Sequence, residues 1–193
     1  MAAVHVADSS DVPGIVDVLT KAFADDPIYE WIFGPRHQRW SRRFFRWQVG
    51  RLVPQNLTWT IAEASGAAVW AGPDQWRETQ GELWRLVVTT LPGIGLRLRR
   101  VLAGLEMIDA RHPEAPHYYL ALLGVDPALQ GRGIGSQLLA EGLSRCDSEK
   151  EPAYLETSKE RNVGFYAHHG FELIDRVDLP GDRPMWLMWR EPR

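Results

Sequence analysis

One cysteine, Cys146, stands in 193 residues, so the chain can form no internal disulfide and no cysteine-rich zinc site. Its core must hold the fold together, and a chain of this size can bury enough apolar surface to do so. No apolar run approaches the ~20 residues that span a bilayer, so no membrane partner is expected. Residues Met1 to Ser10 contain no basic stretch leading into an apolar core, and no secretory signal is expected. Basic excess is missing too. With 22 Lys and Arg against 25 Asp and Glu the net charge is −3, which leaves no overall footprint for a nucleic acid. These absences together point to the cytoplasm. Tryptophan, by contrast, is abundant, with nine residues. Most are expected in the core, because indole buries a large apolar area.

The periodicities alternate between strand and helix. Val4–Val6 reads as a short strand, and Asp8 to Asp11 as a cluster of cap residues before a helix over 12–23 with Pro13 in its first turn. Asp25-Asp26-Pro27 breaks that helix, and a short one over 28–33 follows. Residues 37–53 read as a long helix with arginines on its wet side. Residues 57–62 and 67–71 form a hairpin across Gly66, and 73–112 is helical with an interruption at Pro92-Gly93. Residues 117–125 hold almost no polar group after Tyr119, as suits a strand buried in mid-sheet. A helix over 133–146, a strand over 153–157, a helix over 161–169 and strands over 171–179 and 184–190 complete the chain. The expected class is α/β: a mixed, mostly antiparallel central sheet, helices on both faces, and one parallel pair joined by a right-handed crossover.

The stretch from Leu122 to Ser136 carries the chemistry. It leaves the buried strand, turns at Asp126-Pro127 and enters a helix through Gly131, Gly133 and Gly135. Glycines let backbone N–H groups approach an anion closely, and the start of a helix supplies unpaired N–H donors and partial positive charge. Strand, glycine turn and helix start together make an anion site. It is no phosphate-binding P-loop, since Gly133-Ile134-Gly135-Ser136 lacks the lysine. A dinucleotide fingerprint would need glycine where Ser136 stands.

Gln130-x-x-Gly133-x-Gly135, preceded by Val125-Asp126-Pro127, resembles the acetyl-CoA signature of the GNAT acetyltransferase superfamily. Leu155-Glu156-Thr157-Ser158, Arg161-Asn162-Val163-Gly164-Phe165-Tyr166 and Gly170-Phe171 resemble its second conserved region. The resemblance implies acetyl-CoA as co-substrate. It places the pyrophosphate on Gln130, Gly131, Arg132, Gly133, Ile134, Gly135 and Ser136, and the pantetheine arm along Leu123, Gly124 and Val125 with Asn162 beside it. The cofactor then sits in a cleft where neighbouring strands splay. Tyr166 becomes the general acid for the leaving thiolate, a role that suits a phenol protonated at neutral pH. A narrower likeness, to the puromycin-acetylating branch, rests on Ala22 to Asp25, Ala68-Val69-Trp70, Leu155 to Ser158 with Arg161-Asn162, and the tail through Trp186. On this reading residues 1–193 form one acetyltransferase domain, with acceptor-side helices over about 12–54 and 74–112 and a cofactor-binding core over about 117–193.

Attack on a thioester needs a neutral amine and therefore a base. Glu156 and His117 are the first candidates; Glu30 and Asp26 are also weighed. Tyr29, Trp31, Trp70 and Tyr118 are candidate walls for an acceptor, together with Phe33 and Trp76. His168-His169 is rejected as a metal pair because adjacent helical residues diverge, so no metal is expected. The expected reaction is direct transfer from acetyl-CoA to a primary amine of a small molecule in a ternary complex. A peptide N-terminal acetyltransferase and a silent CoA-binding sensor stand as alternatives. A homodimer is compatible with the resemblance, in which dimers are common.

Overall fold

The computed structural model describes residues 3–193. Seven strands lie in one sheet in the order β1-β2-β3-β4-β5-β7-β6. They are β1 (Val4–Val6), β2 (Thr58–Ile61), β3 (Gly66–Ala71), β4 (Tyr118–Val125), β5 (Ala153–Thr157), β6 (Glu172–Leu179) and β7 (Arg183–Arg190). Every neighbouring pair is antiparallel except β4 and β5, which are parallel. The helices are α1 (Val12–Ala22), α2 (Pro27–Phe33), α3 (His37–Leu52), α4 (Gln80–Ile94), α5 (Leu98–Asp109), α6 (Ile134–Glu149) and α7 (Arg161–His168).

Each face of the sheet carries its own core. On one side Ile15, Val16, Val18 and Leu19 of α1 and Phe45, Val49 and Leu52 of α3 pack on Ala67, Val69 and Leu122. On the other, Leu138, Leu139, Leu143 and Cys146 of α6 pack on Ala68, Trp70, Leu120 and Leu155. A third cluster joins Trp31 of α2 and Val101 of α5 to Tyr154, Val177 and Leu187. Burying a Leu- or Phe-sized side chain contributes roughly 1.5–3 kcal/mol, so these stripes anchor the helices.

Several local signals resolve differently from the sequence reading. Asp11 makes no side-chain cap for α1. Instead Asp8 binds the backbone and hydroxyl of Ser10 at 2.7 and 2.6 Å, as short polar side chains do in turns. Pro92 is accommodated inside α4, and the helix stops at Gly95 with φ +53. The hairpin expected to turn at Gly66 turns earlier, through a 3-10 segment over Ala62–Ala64.

Two features of β4 shape the site. Val69 pairs with Leu122 and Trp70 with Leu120, so Ala121 is an extra residue, a β-bulge. The bulge inverts side-chain parity: Tyr118 and Leu120 face α6, whereas Leu122 faces α1. In addition, β4 pairs with β5 only at Tyr118–Ala153 and Tyr119–Tyr154. Beyond Tyr119 the strands part, and the edge of β4 away from β3 has no strand to bond. Unpaired strand backbone is strongly hydrogen-bonding and seeks a partner.

Candidate active site

The parting strands open a cleft of about 360 Å³, within the usual range for ligand sites. Leu123, Gly124 and Val125 of β4 form one wall, and Asn162, Phe165 and Tyr166 of α7 another. Gln130, Gly131, Gly133, Ile134, Gly135 and Ser136 close one end, while Phe23 and Asp26 of the α1–α2 connection, with Lys159, flank the other residues.

The glycine loop is built for its place. Gly131 and Gly133 hold φ at +75 and +80, a region that side chains with a Cβ avoid. Gly133 is the N-cap of α6, and the first helical bond runs from Gln137 N to Gly133 O at 3.0 Å. The amides of Ile134, Gly135 and Ser136 therefore precede the hydrogen-bonded ladder and have no intrahelical acceptor. Asp126 caps the preceding turn through Ala128 N at 3.0 Å, and Gln130 Nε2 donates to Val125 O at 3.2 Å, so the loop is braced from within. Arg132 is exposed and does not line the cleft.

Asn162 and Tyr166 share one face of α7 as their i, i+4 spacing requires. Asn162 Nδ2 donates to Thr157 Oγ1 at 3.2 Å, tying α7 to the end of β5. Tyr166 is 7% exposed, and its hydroxyl has no hydrogen-bond partner among the described residues. Burial, and then the charge of Asp26, raise its pKa above the ordinary phenol value of 10.0. It therefore stays protonated and able to donate throughout the neutral range.

Glu156 and His117 lie outside this lining. Glu156 accepts from Tyr119 Oη at 2.7 Å and sits 3.5 Å from His112 Nδ1. His112 Nε2 meets His117 Nε2 at 3.0 Å, and His117 Nδ1 lies 2.7 Å from the carbonyl of Ala115. That carbonyl can only accept, so His117 Nδ1 must donate. Burial depresses the His117 pKa below 6.5. Trp76 stacks on His112 at 3.6 Å and covers the network. Both residues expected to act as base are thus engaged in this network and are absent from the cleft lining. His112, which no sequence pattern singled out, joins them.

The expected acceptor walls are placed as follows. Trp70 is fully buried, so tightly that a Cβ at Gly142 of α6 would come within 2.3 Å of it; it belongs to the core on the α6 face of the sheet. Tyr118 also faces α6, and its hydroxyl donates to Glu149 at 2.5 Å. Tyr29 packs among Phe23, Phe44 and Phe45. Trp31 is a brace: its Nε1 donates to Pro180 O at 2.7 Å, and Arg100 donates to its carbonyl at 2.7 Å. None of these four lines the cleft. Phe23 and Phe165 do.

Asp26 is the residue whose weight the sequence understated. It is 4% exposed, lines the cleft, caps α2 through Ile28 N at 3.0 Å and accepts from Ser158 Oγ at 2.7 Å. Burial raises its carboxyl above the ordinary 3.8, against the lowering effect of Ser158, Ile28 and Lys159. The Asp-Pro pair read as a helix breaker, and nothing local marks the distant Ser158. No group of three or more potential metal ligands occurs among the described residues. No helix among the described residues is long and apolar enough to cross a membrane.

Known proteins share this architecture. Residues 100–173 match the family model of the acetyltransferase (GNAT) domain. An uncharacterized N-acetyltransferase of Schizosaccharomyces pombe is 27% identical over 209 residues, covering 100% of this chain and 84% of its own length. The crystal structure of a histone acetyltransferase HPA2 and related acetyltransferase from Corynebacterium glutamicum aligns with a TM-score of 0.72 at 28% identity, over 100% of this chain and 98% of that one. A Drosophila melanogaster polyamine N-acetyltransferase has the same fold at a TM-score of 0.69 and 16% identity, over 99% of this chain and 100% of that one. These matches support an acetyl-CoA-dependent acyltransferase and do not single out the puromycin-acetylating branch.

Proposed function

We propose that the protein transfers the acetyl group of acetyl-CoA to a primary amine of a small molecule, by direct attack within a ternary complex. The observation that carries this reading is the cleft between the parted ends of β4 and β5, with a glycine loop at its border and Tyr166 and Asn162 in its wall. On this reading the loop from Gln130 to Ser136 holds the pyrophosphate with backbone amides. The free edge of β4 at Leu123, Gly124 and Val125 bonds the pantetheine arm as an added strand would, and Asn162 assists from the other side. When bound, the cofactor supplies an activated acetyl thioester. Tyr166 protonates the departing thiolate.

A small acceptor is favoured by the brace at Trp31. Its bond to Pro180 joins α2 to the turn between β6 and β7, and Arg100 of α5 fastens the same residue. On this reading the tie between α2, α5 and the β6–β7 turn closes the acceptor side against an extended peptide. Direct transfer is favoured by the position of the only thiol: Cys146 is fully buried in the core under α6, and burial pushes it up to about 12. A neutral, buried thiol is a poor acetyl carrier.

The test is acetyl-CoA turnover, read as free thiol, against puromycin, agmatine, spermidine, benzylamine, an aminoglycoside and short peptides, beside calorimetry of acetyl-CoA binding. Turnover with one of the small amines and not with peptides is expected. Turnover confined to peptides would overturn the acceptor class, and absence of cofactor binding would overturn the reading as a whole.

A further inference from the structure

We infer that Asp26 is the receptor for the ammonium group of the acceptor and the base that takes its proton, an assignment that rests on the acetyl-transfer reading above. Two oxygens of one carboxylate are treated differently. Oδ1 is saturated, accepting from Ile28 N at 3.0 Å and from Ser158 Oγ at 2.7 Å. Oδ2 has no hydrogen-bond partner among the described residues; the residue is 4% exposed and lines the cleft with Tyr166, and Oδ2 is not among the fully buried unpaired atoms, as suits an oxygen open to the cleft.

Nearby cations compensate this carboxylate only in part: Lys159 lowers its pKa by its charge, yet is paired with the neighbouring carboxylate. Lys159 Nζ lies 2.5 Å from Asp25 Oδ1, and Arg161 lies 3.1 Å from Asp25 Oδ2, so the adjacent exposed carboxylate holds both. The remaining titratable neighbours are the phenols Tyr29 of α2 and Tyr166 of α7, which give Asp26 no positive charge. A buried carboxylate with only a shared counter-ion is costly. An arriving ammonium supplies the missing charge, and the raised carboxyl pKa makes the oxygen a better proton acceptor once they meet.

The step balances. The ammonium N–H proton passes to Asp26 Oδ2, and the freed nitrogen lone pair forms a bond to the acetyl carbonyl carbon. When the carbon–sulfur bond breaks, the electron pair leaves with sulfur, which takes the hydroxyl proton of Tyr166. The phenolate regains a proton from the new amide nitrogen, and Asp26 releases its proton to solvent after the products leave.

Asp26→Asn provides the test, because the retained carbonyl oxygen can still cap α2 and accept from Ser158. Wild type, Asp26→Asn and Glu156→Gln are compared by kcat/KM for benzylamine, agmatine and spermidine from about pH 6 to pH 10, with the acetyl-CoA Kd measured for each. For Asp26→Asn, kcat/KM near neutrality is expected to fall by about 10²-fold or more with the cofactor Kd unchanged. The deficit should then shrink about tenfold per pH unit, as bulk solvent deprotonates the amine in place of the enzyme. An Asp26→Asn enzyme within a few-fold of wild type at every pH overturns the inference and leaves acetyl transfer standing. A deficit independent of pH overturns the base role, and the same pH-dependent pattern in Glu156→Gln instead moves it to Glu156. If wild type releases no thiol with any amine, the acetyl-transfer reading fails and this one falls with it.

Discussion

Replacing Gly133 by alanine isolates the contribution of one backbone angle to cofactor binding. At φ +80 Gly133 caps α6 in the left-handed region, and a Cβ built there meets nothing within 4 Å. Crowding is therefore absent, and the cost is conformational, about 1–2 kcal/mol for a residue with a Cβ. If the free loop escapes that cost by leaving the left-handed region, acetyl-CoA must restore the geometry when it binds. At 1.4 kcal/mol per factor of ten, the Kd should rise roughly 5- to 30-fold. If the loop instead keeps its shape, the same energy appears as a lower Tm, by about 2–4 °C for each kcal/mol in a chain of this size. Calorimetry and thermal melts on one preparation apportion the two. Gly135 is the comparison: it lies inside α6, and a Cβ there would meet Phe165 at 3.6 Å, an ordinary contact. Gly135→Ala should bind within a few-fold of wild type. If Gly133→Ala leaves both Kd and Tm unchanged, or if Gly135→Ala is equally damaging, the loop does not act through this backbone conformation.

Other perturbations test other parts of the reading. Tyr166→Phe should lower kcat by about 10²-fold or more with little change in acetyl-CoA affinity; an unchanged kcat would remove its role as acid. Cys146 should resist alkylation in the native protein at pH 8, because it is buried and its pKa is pushed up to about 12. Cys146→Ala should keep its turnover, and loss of activity in a folded, acetyl-CoA-binding variant would indicate an acetyl-enzyme. Asp26→Asn should also change stability with a definite sign. A carboxyl whose folded pKa is raised above 3.8 contributes stability below that pH and loses it as pH rises through the folded value. The variant should therefore gain Tm over wild type near neutrality and lose that advantage in acid. A destabilised variant at neutral pH, or a pH-independent difference, contradicts the assignment of burial as the dominant cause.

What the sequence determined is local in origin. The glycines at 131 and 133 encode positive φ by lacking a Cβ, Asn162 and Tyr166 share a face through helical spacing alone, and the apolar run of β4 declares a central strand. Most element boundaries came within one to three residues: β5 matches in full, and α6 runs on to Glu149 rather than stopping at Cys146, but the helical stretch expected from 73 begins only at Gln80, and its break falls at Gly95 rather than at Pro92-Gly93. Alternation could not orient the aromatics, because Ala121 bulges out of β4 and reverses its parity, leaving Tyr118 facing α6. Trp70 and Trp31 are composed like pocket walls, yet Gly142 and Pro180 claim them, from 72 and 149 positions away. The same holds for the charged groups. His112 and Glu156 converge across 44 positions, and Asp26 acquires Ser158 across 132. Backbone preference is a property of a residue and its neighbours in the chain. Desolvation and charge pairing depend on which distant segments meet, so the choice of Asp26 over Glu156 as the carboxylate in the cleft was made only when the sheet closed.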